Sequence, residues 1–306
     1  MAKKRHHYIP QFYLKGFVDP NNEPYIWVYD IDSGKIMQTK AENIAYEKHY
    51  FSFIDKEGEK DSETIENQIA IIETEASKVI NKILKYNTLN QMGKYTFAVF
   101  VALMMVRAPY FRRRAELLMK EMIKVYFKFW ASNKAGFEAS IRQFEKETGD
   151  RIGERVEEAR QYFLNEGYKV KLHPQFGLRS TLIHLKELCT IFFGIRWEFI
   201  KASKEYRFLT GDNPLLYCDP TSRKGLGVGL MNNNIEVSIP LSKDLLALGT
   251  WKGLEGYRDA TNYEIKELNR RTVSAALRFV FSSERSEALK RFIAENRGSG
   301  PGWIVG

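Results

Sequence analysis

The chain has 306 residues, 44% of them hydrophobic and 28% charged, a composition typical of a globular protein with a sizeable buried core. Lysine and arginine exceed aspartate and glutamate by 47 − 38 = 9. This excess favours an anionic partner, nucleic acid or nucleotide, without choosing between them.

The same composition excludes several classes of protein. The chain has two cysteines, Cys189 and Cys218. They are too few for a finger-type zinc site, and we do not expect a fold held together by disulfide bonds. No apolar segment follows the charged N-terminus, so no signal peptide is predicted. The longest apolar run, Phe97–Val106, is about half of what a bilayer span requires. We therefore predict a cytoplasmic protein with no membrane partner.

The first motif lies at the N-terminus, where three cations, Lys3, Lys4 and Arg5, precede the pair His6 and His7. A histidine here has three possible roles: metal ligand, general base or structural residue. Adjacent side chains of an extended chain point in opposite directions, so only one imidazole is expected to face a given site. We favour His7.

A β-hairpin and a long helix follow. Aromatic and β-branched residues on both sides of an Asp-Ser-Gly turn predict strands over residues 25–30 and 35–39. Helical spacing of apolar residues predicts a helix over 62–86. Glu66 and Glu73 are seven residues apart and therefore share one face of it. Either both are solvated acids, or one of them points into a site.

The next helix, predicted over 90–108, is apolar on nearly all sides, which indicates a central position. Pro109 interrupts it and leaves Arg107 at the break. The helix then resumes to about Trp130 through a triple arginine at 112–114. This arginine run either grips phosphates or forms a solvated helix face.

The rest of the chain mixes helices and strands. Helices are predicted at 134–147, 151–166, 174–189, 261–277 and 286–296, and strands at 195–202, 206–209, 235–239, 245–250 and 279–281. The first two helices form an insert or lid. The order of elements predicts an α+β fold, predominantly helical with a small mixed or antiparallel sheet. We predict one compact domain over 1–306, comprising the N-terminal motif and hairpin (1–60), a helical layer (61–190) and an α+β part (191–306).

A second motif, Phe208–Leu215, carries Asp212 and Asn213 at a predicted strand end. Asp and Asn before proline are typical of a turn, and the same placement can present a catalytic or metal-binding carboxylate. Gly225–Gly229 lacks the flanking strand and helix of a dinucleotide-binding loop and is predicted to be a flexible loop. No G-x-S-x-G elbow is present, which argues against a familiar hydrolase triad.

The stretch His6–Pro10 resembles the first part of HNH-type nucleases, which bind one divalent metal ion in a β-β-α unit. Asn22 lies at a suitable distance for the middle residue of that motif. The third ligand should lie on a helix, but Asp30, at the expected distance, falls on a predicted strand. The match is therefore partial and serves as an analogy.

Several motifs together resemble the bacterial domain-of-unknown-function family 4238. They are, in chain order, His6–Phe17 (HHYIPQFYLKGF), Arg107–Pro109 (RAP), Phe208–Pro214 (FLTGDNP), Ile239–Ser242 (IPLS) and Leu268–Asn269 leading to Phe279–Ser282 (FVFS). The resemblance covers nearly the whole chain and implies one bacterial cytoplasmic unit of this length. It implies no activity. Gly211 stands where the family pattern leads us to expect serine, which removes a hydroxyl group from any site there.

Three hypotheses follow. In the first, the protein is a metal-assisted phosphodiesterase or nuclease that uses Mg²⁺ or Mn²⁺. The metal ligands would be His6, His7 and Asp212, with His7 otherwise a general base, Asn213 positioning Asp212, and Arg107 steadying the phosphate. The residues that would bind the nucleic-acid backbone are Lys3, Lys4, Arg5, Arg112, Arg113 and Arg114.

In the second hypothesis the same groups recognise a nucleotide or a partner protein without turnover, as a defence sensor or toxin-like effector. In the third, His7, Arg107 and Asp212 form a buried hydrogen-bonded network that fixes the fold. The oligomeric state is left open.

Overall fold

The computed structural model describes residues 5–54, 58–173, 176, 182–221 and 229–298. Lys3, Lys4 and most of the predicted loop Gly225–Gly229 lie outside them. Residue contacts divide the chain into two compact units. Unit 1 comprises Met1–Phe111 and Thr181–Gly306, and unit 2 comprises Arg112–Ser180.

The described residues contain nine α-helices. These are α1 Gln11–Lys15, α2 Thr64–Leu84, α3 Gln91–Arg107, α4 Pro109–Ser132, α5 Lys134–Thr148, α6 Val156–Leu164, α7 Leu185–Gly194, α8 Asn262–Ala275 and α9 Glu287–Asn296. No helix in this part of the chain is long and apolar enough to cross a membrane.

Helix α3 is the buried helix of unit 1. It begins after Asn90, whose side chain accepts a hydrogen bond from the Gly93 N–H at 2.8 Å. Ten of its last eleven residues, from Phe97 to Arg107, are buried, because the apolar run gives the helix no polar face. It ends at Arg107 because Ala108 precedes Pro109 and is extended (φ −64°, ψ 134°). The predicted central helix and its break are confirmed.

The strands form two larger and two smaller sheets. They are β1 Arg5–His7, β2 Tyr25–Asp30, β3 Ile36–Lys40, β4 Tyr46–Lys48, β5 Phe53–Ile54, β6 Lys60–Asp61, β7 Arg196–Lys201, β8 Thr210–Gly211, β9 Leu216–Cys218, β10 Glu236–Ser242, β11 Leu245–Thr250, β12 Gly256–Asp259 and β13 Phe279–Ser282. One sheet has five strands in the order β12-β7-β11-β10-β9, antiparallel except for β12 and β7. Another has the antiparallel order β3-β2-β13-β8, and β1-β4 and β5-β6 are two-stranded.

Helix α8 packs on both larger sheets. Ile265 and Leu268 join Ile200 and Leu246 of the five-stranded sheet in one hydrophobic cluster. One turn further on, Val273 packs with the four-stranded sheet. The helix is therefore shared by the two sheets, and the segments that flank it connect them.

The α+β prediction is confirmed, with strands distributed over several small sheets instead of one. The predicted hairpin is present as β2 and β3. The strand predicted over 206–209 is wrong, because regular pairing in this region is confined to β8. The described part of the helix predicted over 174–189 includes α7, which runs past the predicted end to Gly194.

Unit 2 has its own small apolar core. Ala131, Phe137 and Ile141 are buried there, and Phe163 packs against them. Helix α5 ends at Thr148 and is capped by Gly149, whose φ of +79° is the left-handed conformation that glycine adopts without strain. The helices predicted as an insert, α5 and α6, belong to this unit. The single-domain assignment of residues 1–306 stays a prediction.

Candidate functional site

A cavity of about 630 Å³ lies among β1, α1, α2 and the end of α3 in unit 1, and we call it the His7 cavity. Its volume is within the range of small-molecule sites. It is lined by Arg5, His7, Gln11, Phe12, Glu66, Ile69, Ala70, Glu73, Thr74, Ser77 and Arg107. Two arginines and two glutamates give the lining no formal excess of either charge.

Strand β1 separates the two histidines of the first motif. It pairs with β4, placing His6 opposite Glu47 and His7 opposite Tyr46. His6 is fully buried, its Nδ1 accepts a hydrogen bond from the Phe51 N–H at 2.8 Å, and its ring stacks on Phe51 with centroids 5.7 Å apart. The contacts of His6 are therefore with the interior, and its neighbour is the histidine that reaches the cavity.

His7 is held as a neutral imidazole. Its Nε2 is 3.2 Å from the Glu42 carbonyl oxygen, to which it donates, and its Nδ1 is 3.4 Å from the Gln11 amide nitrogen. Burial lowers the pKa of His7 below its ordinary value of 6.5, and the nearby Arg107 cation lowers it further. A neutral imidazole of this kind can accept a proton near neutral pH.

Arg107 joins three elements. Its Nη1 donates to Glu73 Oε1 at 2.6 Å, and its Nη2 donates to the main-chain carbonyl of His7. The side chain is 2% exposed. Its Nε–H has no acceptor within the part of the chain that the structure describes. A buried donor without an acceptor is costly, so Arg107 keeps one unsatisfied N–H in a side chain that lines the cavity.

Helix α2 supplies the acidic side of the cavity. Glu66 and Glu73 both line it, with Thr74 and Ser77 on the same face. The sequence leaves open whether both are solvated acids or one of them points into a site, and the structure places both glutamates in the lining of the cavity. Glu73 pairs with Arg107 and has 25% of its side chain exposed.

Asp212 lies elsewhere in unit 1 and does not line the His7 cavity. Its Oδ1 accepts from the Leu277 N–H at 2.7 Å, and its Oδ2 accepts from the Arg278 and Phe279 N–H groups at 2.8 and 3.0 Å. Burial raises the pKa of Asp212, and these three hydrogen bonds oppose the rise. The carboxylate thus fixes the turn between α8 and β13.

Asn213 has a related structural contact. Its Nδ2 donates at 3.2 Å to the carbonyl of Ala275, the last residue of α8. The structure therefore does not bring Asp212 and Asn213 together with His7 and Arg107 in the lining of one cavity. The turn interpretation of this motif accounts for every hydrogen bond described for the two side chains.

The first motif and the second motif of the sequence nevertheless meet, through Tyr13. Its hydroxyl group donates to the Pro240 carbonyl at 2.6 Å and lies 2.8 Å from Thr210 Oγ1. Gly16 lies so close to the IPLS stretch that an added Cβ would be 2.9 Å from the Leu241 carbonyl oxygen. The meeting point is buried, so it holds the sheets together and presents no open site.

The predicted metal ligands His6, His7 and Asp212 have other partners in the structure, and a Mg²⁺ or Mn²⁺ site stays a prediction. His6 Nδ1 and both oxygens of Asp212 already accept backbone hydrogen bonds. The described residues include no group of three His, Cys, Asp or Glu side chains placed to hold a metal ion. The HNH analogy fails similarly, because Asp30 pairs with Arg278 at 2.9 Å and Asn22 Oδ1 accepts from Gln38 at 2.6 Å.

The predicted basic residues are distributed over both units. Arg5 lines the His7 cavity and lies over the Tyr46 ring, 4.9 Å from its centroid. Arg112, Arg113 and Arg114 belong to unit 2, where Arg112 is 3.6 Å from Glu116 and Arg113 is exposed. Their part in nucleic-acid binding stays a prediction.

Sequence reasoning missed three polar residues of the cavity, Gln11, Thr74 and Ser77. The sequence does contain a pattern that indicates Thr74 and Ser77. They follow Glu66 and Glu73 at helical spacing along a face of α2 that also carries Ile69 and Ala70. Gln11 gave no such signal, because its position depends on the turn from β1 into α1.

Comparison with family models identifies the chain. The model of the family described as "Protein of unknown function (DUF4238)" matches residues 5–286, and the chain belongs to this family. The resemblance drawn from its motifs is thereby confirmed. Comparisons with curated proteins and with solved structures gave no match.

Proposed function

We propose that the His7 cavity binds a nucleotide, and that the protein is a nucleotide-binding module. The observation that carries this proposal is that Arg107, a buried cation whose Nε–H lacks an acceptor within the described residues, lines a 630 Å³ cavity together with Arg5. Guanidinium groups bind phosphate oxygens well, and the volume suits a ligand of nucleotide size.

The distribution of charge along the cavity supports a ligand with two different ends. Arg5 and Arg107 would donate to a phosphate group. Glu66 would accept hydrogen bonds from the N–H groups of a base. Glu66 and Glu73 are seven residues apart, which is about 10 Å along an α-helix, comparable to the distance from the phosphate to the base edge of a nucleotide.

Isothermal titration with AMP, GMP, ATP, cyclic AMP, cyclic GMP and orthophosphate tests the proposal. We expect at least one nucleotide to bind with a dissociation constant on the order of 1–100 μM. Glu66→Gln and Arg5→Gln should each weaken binding about tenfold or more, through the base and the phosphate respectively.

Two control variants match these changes in residue type but lie outside the cavity lining. Glu75→Gln changes an acid on α2 that does not line the cavity, and Arg285→Gln changes an exposed arginine. Both should bind like the natural protein. Absence of binding at about 1 mM of every nucleotide, or equal losses in the controls, would contradict the proposal.

A second candidate is cleavage of a phosphodiester with His7 as general base, and the lowered pKa of His7 favours it. His7 would take the proton of an attacking hydroxyl group as its oxygen bonds to phosphorus, and Arg107 would stabilise the charge on phosphate. The P–O bond to the leaving oxygen would break, and the imidazolium of His7 would return the proton to that oxygen. The test is incubation with labelled RNA, tRNA, single-stranded DNA and duplex DNA, with Mg²⁺, Mn²⁺ or EDTA. Cleavage abolished by His7→Asn supports this candidate; cleavage unchanged in that variant removes it.

A further inference from the structure

Helix α4 has two apolar faces, and only the inner one has a partner among the described residues of unit 2. Phe127 and Trp130 on that face contact Phe163, with ring centroids 5.2 and 5.4 Å apart. Ala131 is fully buried in the same core. Through these contacts the inner face of α4 contributes to the apolar core of unit 2.

The outer face carries a row of apolar side chains, here called the stripe, that are not part of the core of unit 2. Leu118, Met122, Val125 and Phe129 are 64%, 56%, 68% and 77% exposed. Their spacing of four, three and four residues is that of the a and d positions of a heptad repeat. Four large apolar side chains in one line on a helix are suited to packing against a second helix.

The charges beside this stripe are self-complementary. Glu121 and Lys128 both occupy the g position of the heptads. In an antiparallel pair of identical helices, Leu118 of each copy would face Phe129 of the other, and Met122 would face Val125. Glu121 of each copy would then lie beside Lys128 of the other, whereas a parallel pair would place Glu121 beside Tyr126.

We therefore propose that two copies of this chain associate through the outer faces of α4, as an antiparallel twofold pair. The side chains of Glu121 and Lys128 are 57% and 60% exposed, so both are accessible to a second copy. Their intrachain partners, Lys124 at 3.0 Å and Glu166 at 3.9 Å, are surface contacts of the weak kind. The stripe spans about 17 Å, so we expect a dissociation constant in the micromolar range.

Sedimentation equilibrium of the full chain between about 1 and 200 μM tests the proposal. The natural protein should show a monomer–dimer equilibrium, and Phe129→Glu should be monomeric throughout. Leu254→Glu is the matched control, because Leu254 in unit 1 is also 77% exposed, and it should dimerise normally. Circular dichroism at increasing temperature confirms that each variant is folded.

Charge reversal tests the orientation. Glu121→Lys places two lysines together at each end of the pair and should raise the dissociation constant about tenfold or more. Adding Lys128→Glu to this variant restores opposite charges only in the antiparallel arrangement, so the double variant should dimerise like the natural protein.

Three results would overturn the proposal. The first is a natural protein that remains monomeric over the whole range. The second is a dimer that Phe129→Glu does not affect. The third is a monomer that binds anionic lipid vesicles through the stripe, since α4 also carries six lysines and arginines against two glutamates.

Discussion

Arg107 is the residue on which the shape of the His7 cavity depends most directly. It connects the last turn of α3 to Glu73 of α2 and to the backbone of β1. One guanidinium group therefore positions three of the elements that line the cavity. Burying a cation is favourable only when its hydrogen bonds are made with good geometry. The same side chain therefore has a structural role and a role in the proposed binding of phosphate.

We predict that Glu73→Gln destabilises the protein by about 2–3 kcal/mol, because it leaves the buried Arg107 cation without its counter-charge. Urea unfolding followed by circular dichroism gives the free energy of unfolding. Glu75→Gln, on the exposed face of α2, should change it by less than about 0.5 kcal/mol. A value for Glu73→Gln as small as the control value would show that the ion pair contributes little.

His7 gives a prediction about pH. Its pKa is lower in the folded state than its ordinary 6.5, so the folded protein binds this proton less readily than the unfolded chain. The contribution of His7 to stability is therefore complete above pH 6.5 and is lost as the pH falls through the folded pKa. Nuclear magnetic resonance titration should give a His7 pKa below 6.5, with His7→Asn used to assign the signal. A value above 6.5 would contradict the description of His7 as a neutral base.

At the scale of elements, the Asp212 turn determines how α8 continues into β13. One carboxylate satisfies the N–H groups of three consecutive residues, 277 to 279. Asn269 of α8 holds the preceding segment similarly, because its Oδ1 accepts from the Leu209 N–H at 2.9 Å and its Nδ2 donates to the Arg207 carbonyl at 2.8 Å. The Asn269 side chain and one backbone hydrogen bond, from the Phe208 N–H to the Lys243 carbonyl at 2.9 Å, thus replace the strand pairing that was predicted over 206–209.

We predict that Asp212→Ala lowers the free energy of unfolding by about 3 kcal/mol or more, since three backbone donors lose the buried carboxylate that accepts from them. Asp212→Asn keeps one acceptor oxygen and should cost less. Asp32→Ala, at a side chain 71% exposed, should be close to neutral when measured by the same chemical denaturation. If Asp212→Ala unfolds at the natural midpoint but loses a ligand or an activity, this carboxylate is part of a functional site after all.

These residues also show how far the sequence could predict the structure. The hairpin, α3 and α8 follow from periodicity and capping residues, which are local properties. The sequence also indicated that only one of the two adjacent histidines would face a site. The separation of Asp212 from His7 could not be predicted, because it depends on which backbone N–H groups α8 and β13 present, and these are more than sixty residues away along the chain. The Glu73–Arg107 pair depends likewise on how α2 and α3 pack.

At the scale of the whole molecule, the two thiols report on the integrity of unit 1. Cys189 on α7 and Cys218 on β9 are both buried, and burial raises the pKa of each thiol. We predict that neither reacts with a thiol reagent in the native state within minutes, and that both react after unfolding in guanidinium chloride. Rapid reaction of one thiol in the native protein would identify a local opening of unit 1.

Ligand binding would also act on the whole molecule. A nucleotide that binds only the folded state should stabilise it by about 2.7 kcal/mol at a hundredfold excess over its dissociation constant. The natural protein should therefore melt at a higher temperature with increasing nucleotide, and Glu66→Gln should show a smaller rise at the same concentration. Equal rises in both proteins would place the binding site outside the His7 cavity.

The Asp212 turn has a consequence for the chain lengths that this family can tolerate. Its two oxygens receive three successive N–H groups, so the step from α8 to β13 has a fixed number of residues. One residue inserted after Leu277 would move Arg278 and Phe279 away from Oδ2 and would also shift the pairing of β13 with β2 by one position. Insertions and deletions among related chains should therefore avoid residues 276–278, even though this connection is short and lies outside regular secondary structure.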